Sequence, residues 1–145
     1  MPQGECVGPG GVVFITNSGA YNILVYHHNG TAMPTISDPG GEPVGCTYDS
    51  LHHQFAVSNI VGTAGYGNIA LYNEPCCSYA SPTIITDPSF GSMYFLGFRP
   101  NSTLFVDGYN SLIDVSYWKL TYPTYPFAQL GFTPANLIGV PGGVQ

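Results

Sequence analysis

Positive charge is almost missing from this sequence. Only Arg99 and Lys119 are basic among 145 residues, against eight acidic side chains, for a formal charge of -6. Binding a nucleic-acid backbone needs clustered Lys and Arg to displace counterions, so nucleic acid is excluded as a partner class. Anionic lipid is excluded on the same ground. Charge of either sign is scarce, at 7% of residues, where an ordinary soluble domain carries about 25%. No run approaches the roughly 20 apolar residues of a membrane span, so membrane insertion is not expected. The opening MPQGEC has neither the basic stretch nor the apolar run of a leader, so export would need a leader outside this sequence. No segment places apolar residues at helical spacing, and no Cys-x-x-Cys or Gly-x-Ser-x-Gly occurs.

What is present suits short strands and frequent turns. Hydrophobic residues make up 44%, with 11 Tyr, 8 Phe, 19 Gly and 13 Pro. Aromatic and β-branched residues fit a pleated surface, and Gly and Pro punctuate it. The fold class is all-β. A surface made soluble by Asn, Ser, Thr and Tyr instead of charge points to an extracytoplasmic or secreted protein.

The chain repeats itself. Val13-Phe14-Ile15-Thr16-Asn17 recurs as Phe55-Ala56-Val57-Ser58-Asn59 and again as Leu104-Phe105-Val106-Asp107-Gly108. A second strand follows each: Asn22 to Tyr26, Asn68 to Tyr72 and, more loosely, Ile113 to Trp118. PTISDP at 34–39 returns as PTIITDP at 82–88, each leading through a Gly-containing turn to another apolar strand, Val44 to Tyr48 and Tyr94 to Phe98. Four short strands per ~40–50 residues is the period of a β-propeller blade. The units fall at 5–38, 43–87 and 93–131, with 132–145 as the start of a further blade. About three four-stranded antiparallel blades are fewer than the ~4–8 of a closed propeller. The expectation is an incomplete propeller or one that assembles into a larger ring.

The order of an aromatic-apolar strand ending in Asn or Asp, a "V-Y" strand, then PTISDPGGEPVGCTYD resembles the NHL-type and YncE-like propeller repeats of bacterial extracytoplasmic proteins. The third unit departs from it, with the Tyr/Pro-rich 121–127 where a clean "T-I-x-D" would stand. Gluconolactonase-like propellers hold a divalent cation on the loop face with Asn, Asp and Glu oxygens. The resemblance therefore makes Asn17, Asn59 and Asp107 candidate ligands for such an ion, although Asn and Asp also end strands for turn geometry alone.

Other residues carry candidate chemistry. His27-His28 and His52-His53 supply imidazoles for Zn or Cu, but neighbours in an extended chain point to opposite sides, and solvent-facing turn histidines are the simpler reading. Asp49-Ser50-Leu51-His52 holds triad residue types within four positions; a working triad is normally gathered from separated segments. Four cysteines, Cys6, Cys46, Cys76 and Cys77, allow three disulfide connectivities. The blade placement admits a Cys6–Cys46 bridge between successive inner strands, and Cys76 and Cys77 are available for bridging another chain. Asn29-Gly-Thr31 and Asn101-Ser-Thr103 are glycosylation-type triplets. In TYPTYPF, residues 121–127, Tyr122, Tyr125 and Phe127 form a candidate surface for carbohydrate or a partner chain, against the plainer reading of an edge guarded by Pro. The leading expectation is a binding or self-assembling module whose partners are copies of itself or other protein chains. A cation-dependent lactonase or esterase and a carbohydrate-binding module are the alternatives, so enzymatic activity stays open.

Overall fold

The computed structural model describes residues 1–62, 64–73, 82–110, 115–121 and 127–129. They form three four-stranded antiparallel sheets, each made from consecutive strands. The first holds β1 (Pro2–Val7), β2 (Val13–Asn17), β3 (Asn22–Tyr26) and β4 (Ala32–Ser37). β5 (Gly41–Asp49), β6 (Gln54–Gly62), β7 (Asn68–Asn73) and β8 (Thr83–Thr86) make the second. The third has β9 (Phe90–Phe98), β10 (Thr103–Asn110), β11 (Val115–Thr121) and β12 (Phe127–Gln129). Each chain of hairpins follows from short apolar strands whose successive side chains point to opposite faces.

The sheets stack face to face, and their first strands lie side by side. Alternate side chains of one strand therefore serve two different seams. Phe14, Ile23, Val25 and Ile36 of the first sheet meet Phe55, Val57, Ala70 and Tyr72 of the second. From the other face of the second sheet, Ala56, Ile69 and Leu71 meet Leu104, Val106, Trp118 and Leu120 of the third. Sandwiched on both faces, β6 is buried continuously from Gln54 to Asn59. In β2 only every second residue is buried, Phe14 and Thr16. The difference is one of neighbours, not of sequence pattern.

Two inner strands are joined covalently. Cys6 in β1 and Cys46 in β5 form a disulfide with Cα atoms 5.7 Å apart. Register explains the meeting: Cys6 pairs with Phe14 and Cys46 with Val57, so each faces the same seam. Cys76, Cys77, Tyr122, Tyr125 and the segment 132–145 lie outside the described residues. Phe127 is the first residue of β12.

Candidate functional site

In the first two sheets, the loops after the second and fourth strands share one end of the stack. There Asp38 closes β4 with an Asx turn, accepting from Gly40 N–H at 2.8 Å, and Asp87 does the same after β8 with Ser89 N–H at 2.8 Å. The repeated "DP" pair is thus a turn device. Asp38 is also buried, at 3% exposure. Burial pushes its carboxyl above the usual carboxylate range, while the Gly40 N–H, Asn59 and Tyr72 pull the other way. The Tyr72 phenol is itself pushed up by burial and by the neighbouring Asp38 charge. Around them Asn68 donates to the Gly40 carbonyl at 2.6 Å, and Tyr72 to the Ser37 carbonyl at 3.2 Å. A dip of about 260 Å³ opens here, lined by Tyr21, Asp38, Glu42 and Val61.

The three expected cation ligands do not form one set. Asn17 faces Asn22 across its hairpin, with its amide donating to Asn22 Oδ1 at 3.1 Å, and Asn59 faces Asn68 across the next, their side-chain amides 3.0 Å apart, with the Asn59 N–H turned to Asp38. Asp107 falls one residue earlier in the repeat, level with Thr16 and Ser58, and so points to the other face of its sheet. There it accepts from Phe95 N–H at 2.8 Å.

The opposite end carries the histidines. His53 Nδ1 lies 3.2 Å from the Tyr48 hydroxyl. His52 Nδ1 lies 3.1 Å from Asp49 Oδ2 and 2.5 Å from Ser102 Oγ. The serine beside this Asp–His pair is thus Ser102 of the third sheet, not the adjacent Ser50. One imidazole nitrogen serves both partners, whereas a triad places the imidazole between them through its two nitrogens. Ser102 is fully buried, so this group is a clasp between sheets. Burial alone would raise the Asp49 carboxyl, but the Ser102 hydroxyl, the Leu51 N–H and His52 together hold it below its ordinary value. His27 and His28 lie in the exposed turn between β3 and β4. Among the described residues no three His, Cys, Asp or Glu side chains converge on a point suited to a metal ion. Both glycosylation-type triplets close Asx turns at this end: Thr31 N–H donates to Asn29 Oδ1 at 3.0 Å, and Thr103 N–H to Asn101 Oδ1 at 3.2 Å.

The seams hold a device the sequence reading passed over. In the first sheet Gly4 N–H donates to Thr16 Oγ1 at 2.8 Å, and that hydroxyl donates onward to the Val44 carbonyl of the second sheet at 2.7 Å. In the second sheet Gly45 N–H donates to Ser58 Oγ at 3.1 Å, and Ser58 donates onward to the Tyr94 carbonyl of the third. A methyl group at Gly4 or Gly45 would run into that same Val44 or Tyr94 oxygen. A glycine lets the next inner strand approach, and a hydroxyl satisfies the carbonyl it brings. The signal was legible as the Thr16–Ser58–Asp107 column of the repeat.

One sheet face stands apart. Val13, Ile15, Leu24 and Tyr26 occupy the repeat positions of Phe55, Val57, Ala70 and Tyr72, on the face of the first sheet turned away from the second. The four in the second sheet are at most 1% exposed, whereas their counterparts in the first are only half-buried.

No family model and no curated protein matches the sequence. The structure superposes on a chain of the crystal structure of a nidogen/laminin complex with a TM-score of 0.78 at 15% identity. The match covers 98% of this chain and 51% of that one, so this chain spans about half the length of its structural neighbour. The three sheets are β-propeller blades. At that identity the likeness establishes the fold alone.

Proposed function

We propose that this chain is an extracytoplasmic β-propeller module, of the NHL or YncE-like kind, that works by binding protein chains and not by catalysis. The observation that carries the reading is the half-buried apolar face of the first blade, built from positions that the second blade keeps fully covered. The Cys6–Cys46 bridge fits an oxidising compartment. The polar residues at both ends of the stack support it too, because the hydrogen bonds of Asp38, Asn59, Asn68, Asp49 and Ser102 go to structure within and between blades. Comparative capture tests the reading. Immobilised wild-type chain and its Leu24→Asp variant are exposed to an extracytoplasmic extract of the source organism. A protein retained by the first and lost from the second supports the reading, and identical retention contradicts it.

A second reading, a cation-dependent lactonase or esterase, draws on the 260 Å³ dip where Asp38 and Glu42 stand together. Elemental analysis with an ester and lactone screen, with and without chelator, decides it. Carbohydrate binding through Tyr122, Tyr125 and Phe127 is tested on a glycan array.

A further inference from the structure

Two asparagines stand in triplets of the kind that accept N-linked sugar, and the fold treats them differently. We infer that Asn29 is an acceptor of an N-linked oligosaccharide on the folded chain, and that Asn101 is not. The inference rests on the extracytoplasmic reading above, since such triplets are used on the surface loops of exported proteins.

Both triplets lie at hairpin tips with one backbone pattern. In the β3–β4 turn His27 N–H donates to the Thr31 carbonyl at 2.9 Å, and Gly30 N–H to the His27 carbonyl at 2.8 Å. In the β9–β10 turn Arg99 N–H donates to the Thr103 carbonyl at 2.9 Å, and Ser102 N–H to the Arg99 carbonyl at 2.8 Å. The third loop residue is left-handed in each, Gly30 at φ 85° and Ser102 at φ 57°, as a three-residue loop closed by a bulge requires. In each, the asparagine Oδ1 accepts the N–H two residues on. Local conformation therefore does not separate the two sites.

Their surroundings do. Residues 27 to 31 are all exposed, and a methyl group built on Gly30 would meet no atom within 4 Å. With its carbonyl oxygen engaged by Thr31 N–H, Asn29 keeps its amide nitrogen for a new bond. The Thr31 hydroxyl, which a transferring enzyme must read, belongs to an exposed residue. Asn101 is exposed as well, but the two residues after it are not. Ser102 is fully buried and Thr103 is 3% exposed. Ser102 Oγ also lies 2.5 Å from His52 Nδ1, in the clasp between the second and third blades. An enzyme that draws in the whole triplet has to open that clasp and uncover Thr103, at the cost of leaving buried polar groups unpaired.

The donor is a lipid-linked oligosaccharide diphosphate. The Asn29 amide nitrogen forms a C–N bond to the anomeric carbon of the first sugar, and the C–O bond from that carbon to the diphosphate breaks. The lipid diphosphate leaves with the bonding pair, and the amide proton passes to a base of the transferring enzyme. The product sets a hydrated, uncharged chain on the first blade's outer turn. Solubility gained there matters to a protein with charge at only 7% of residues.

Transfer to the purified, folded chain tests this, with a single-subunit oligosaccharyltransferase and a lipid-linked oligosaccharide diphosphate as the probe. Intact mass is expected to rise by one oligosaccharide, and peptide mapping to find it on Asn29. Thr31→Ala is expected to lose the addition and Thr31→Ser to keep it. Short peptides spanning 25–33 and 97–105 serve as unfolded controls, and both are expected to accept. A folded chain left unmodified at Asn29, or modified as readily at Asn101, overturns the inference. So does a 97–105 peptide that takes no sugar, because the fold would then not be what protects Asn101. The readings beneath fail separately: the extracytoplasmic one if Cys6 and Cys46 prove reduced in the source cells, and the binding one in the capture comparison.

Discussion

The seam between the first and second blades is locked covalently, while the described part of the seam between the second and third is held by packing and hydrogen bonds alone. In the first, Cys6–Cys46 ties the inner strands, and Phe55 lies between Phe14 and Tyr72 with ring centroids 4.5 and 5.6 Å away. In the second, Phe90 meets Trp118 edge-on at 5.4 Å, and the Asp49–His52–Ser102 clasp sits at the far end. The two seams share the glycine and the bridging hydroxyl and differ in nearly everything else. The common part is what makes two blades fit; the variable part decides how firmly each joint is held.

The largest way to break that contrast is to remove the lock. The disulfide spans a sequence separation of 40 residues, and closing such a loop restricts the unfolded chain by about 4 kcal/mol. Cys6→Ala with Cys46→Ala is expected to lose stability of that order in guanidinium unfolding. Next come the shared hydroxyls. Thr16→Val and Ser58→Ala each leave a buried carbonyl and N–H without their partner, at a cost of about 1–3 kcal/mol. Ser58→Ala is expected to loosen the third blade's amides in hydrogen exchange. Thr16→Val should leave the exchange of the disulfide-tied β1 and β5 nearly unchanged.

Acid provides the finest test, because the seams carry carboxyls shifted in opposite directions. Asp49 is held below its unfolded value, so it stabilises the fold above ~3.9 and that contribution is lost as pH falls through the folded value. Asp38 is raised, so its burial costs stability once pH rises through ~3.9, and the cost is absent below it. Asp49→Asn is therefore expected to flatten the acid limb of a stability–pH curve. Asp38→Asn, which keeps an oxygen for the Gly40 N–H, should gain on wild type as pH rises from acid toward neutral.

Much of the architecture was legible, and the reason is periodicity. Val13–Asn17, Asn22–Tyr26 and Thr83–Thr86 are strands with the bounds their alternation implies. The third unit was harder, since Ile113 to Trp118 alternates poorly; Ile113 and Asp114 lie outside the described residues, and the described strand is Val115–Thr121. What the sequence could not display was contact between blades. Asp49 and His52 suggested a partner at Ser50, yet the hydroxyl comes from Ser102, 50 residues from His52. Asp107 resembled the strand-ending Asn17 and Asn59 in type, but register puts it on the other face. A one-residue offset reverses the side of a sheet, and only the pairing of strands reveals it.

The shared glycine and hydroxyl can be tested most directly at Ser58. Ser58→Asp puts into the seam between the second and third blades the carboxylate that Asp107 carries at the same position. In hydrogen exchange, β9 and β10 are expected to lose far more protection than in Ser58→Ala, while β2 and β3 keep theirs. Equal protection in the two variants would show that a carboxylate is tolerated against the neighbouring carbonyl, and would contradict the rule by which one blade accepts the next.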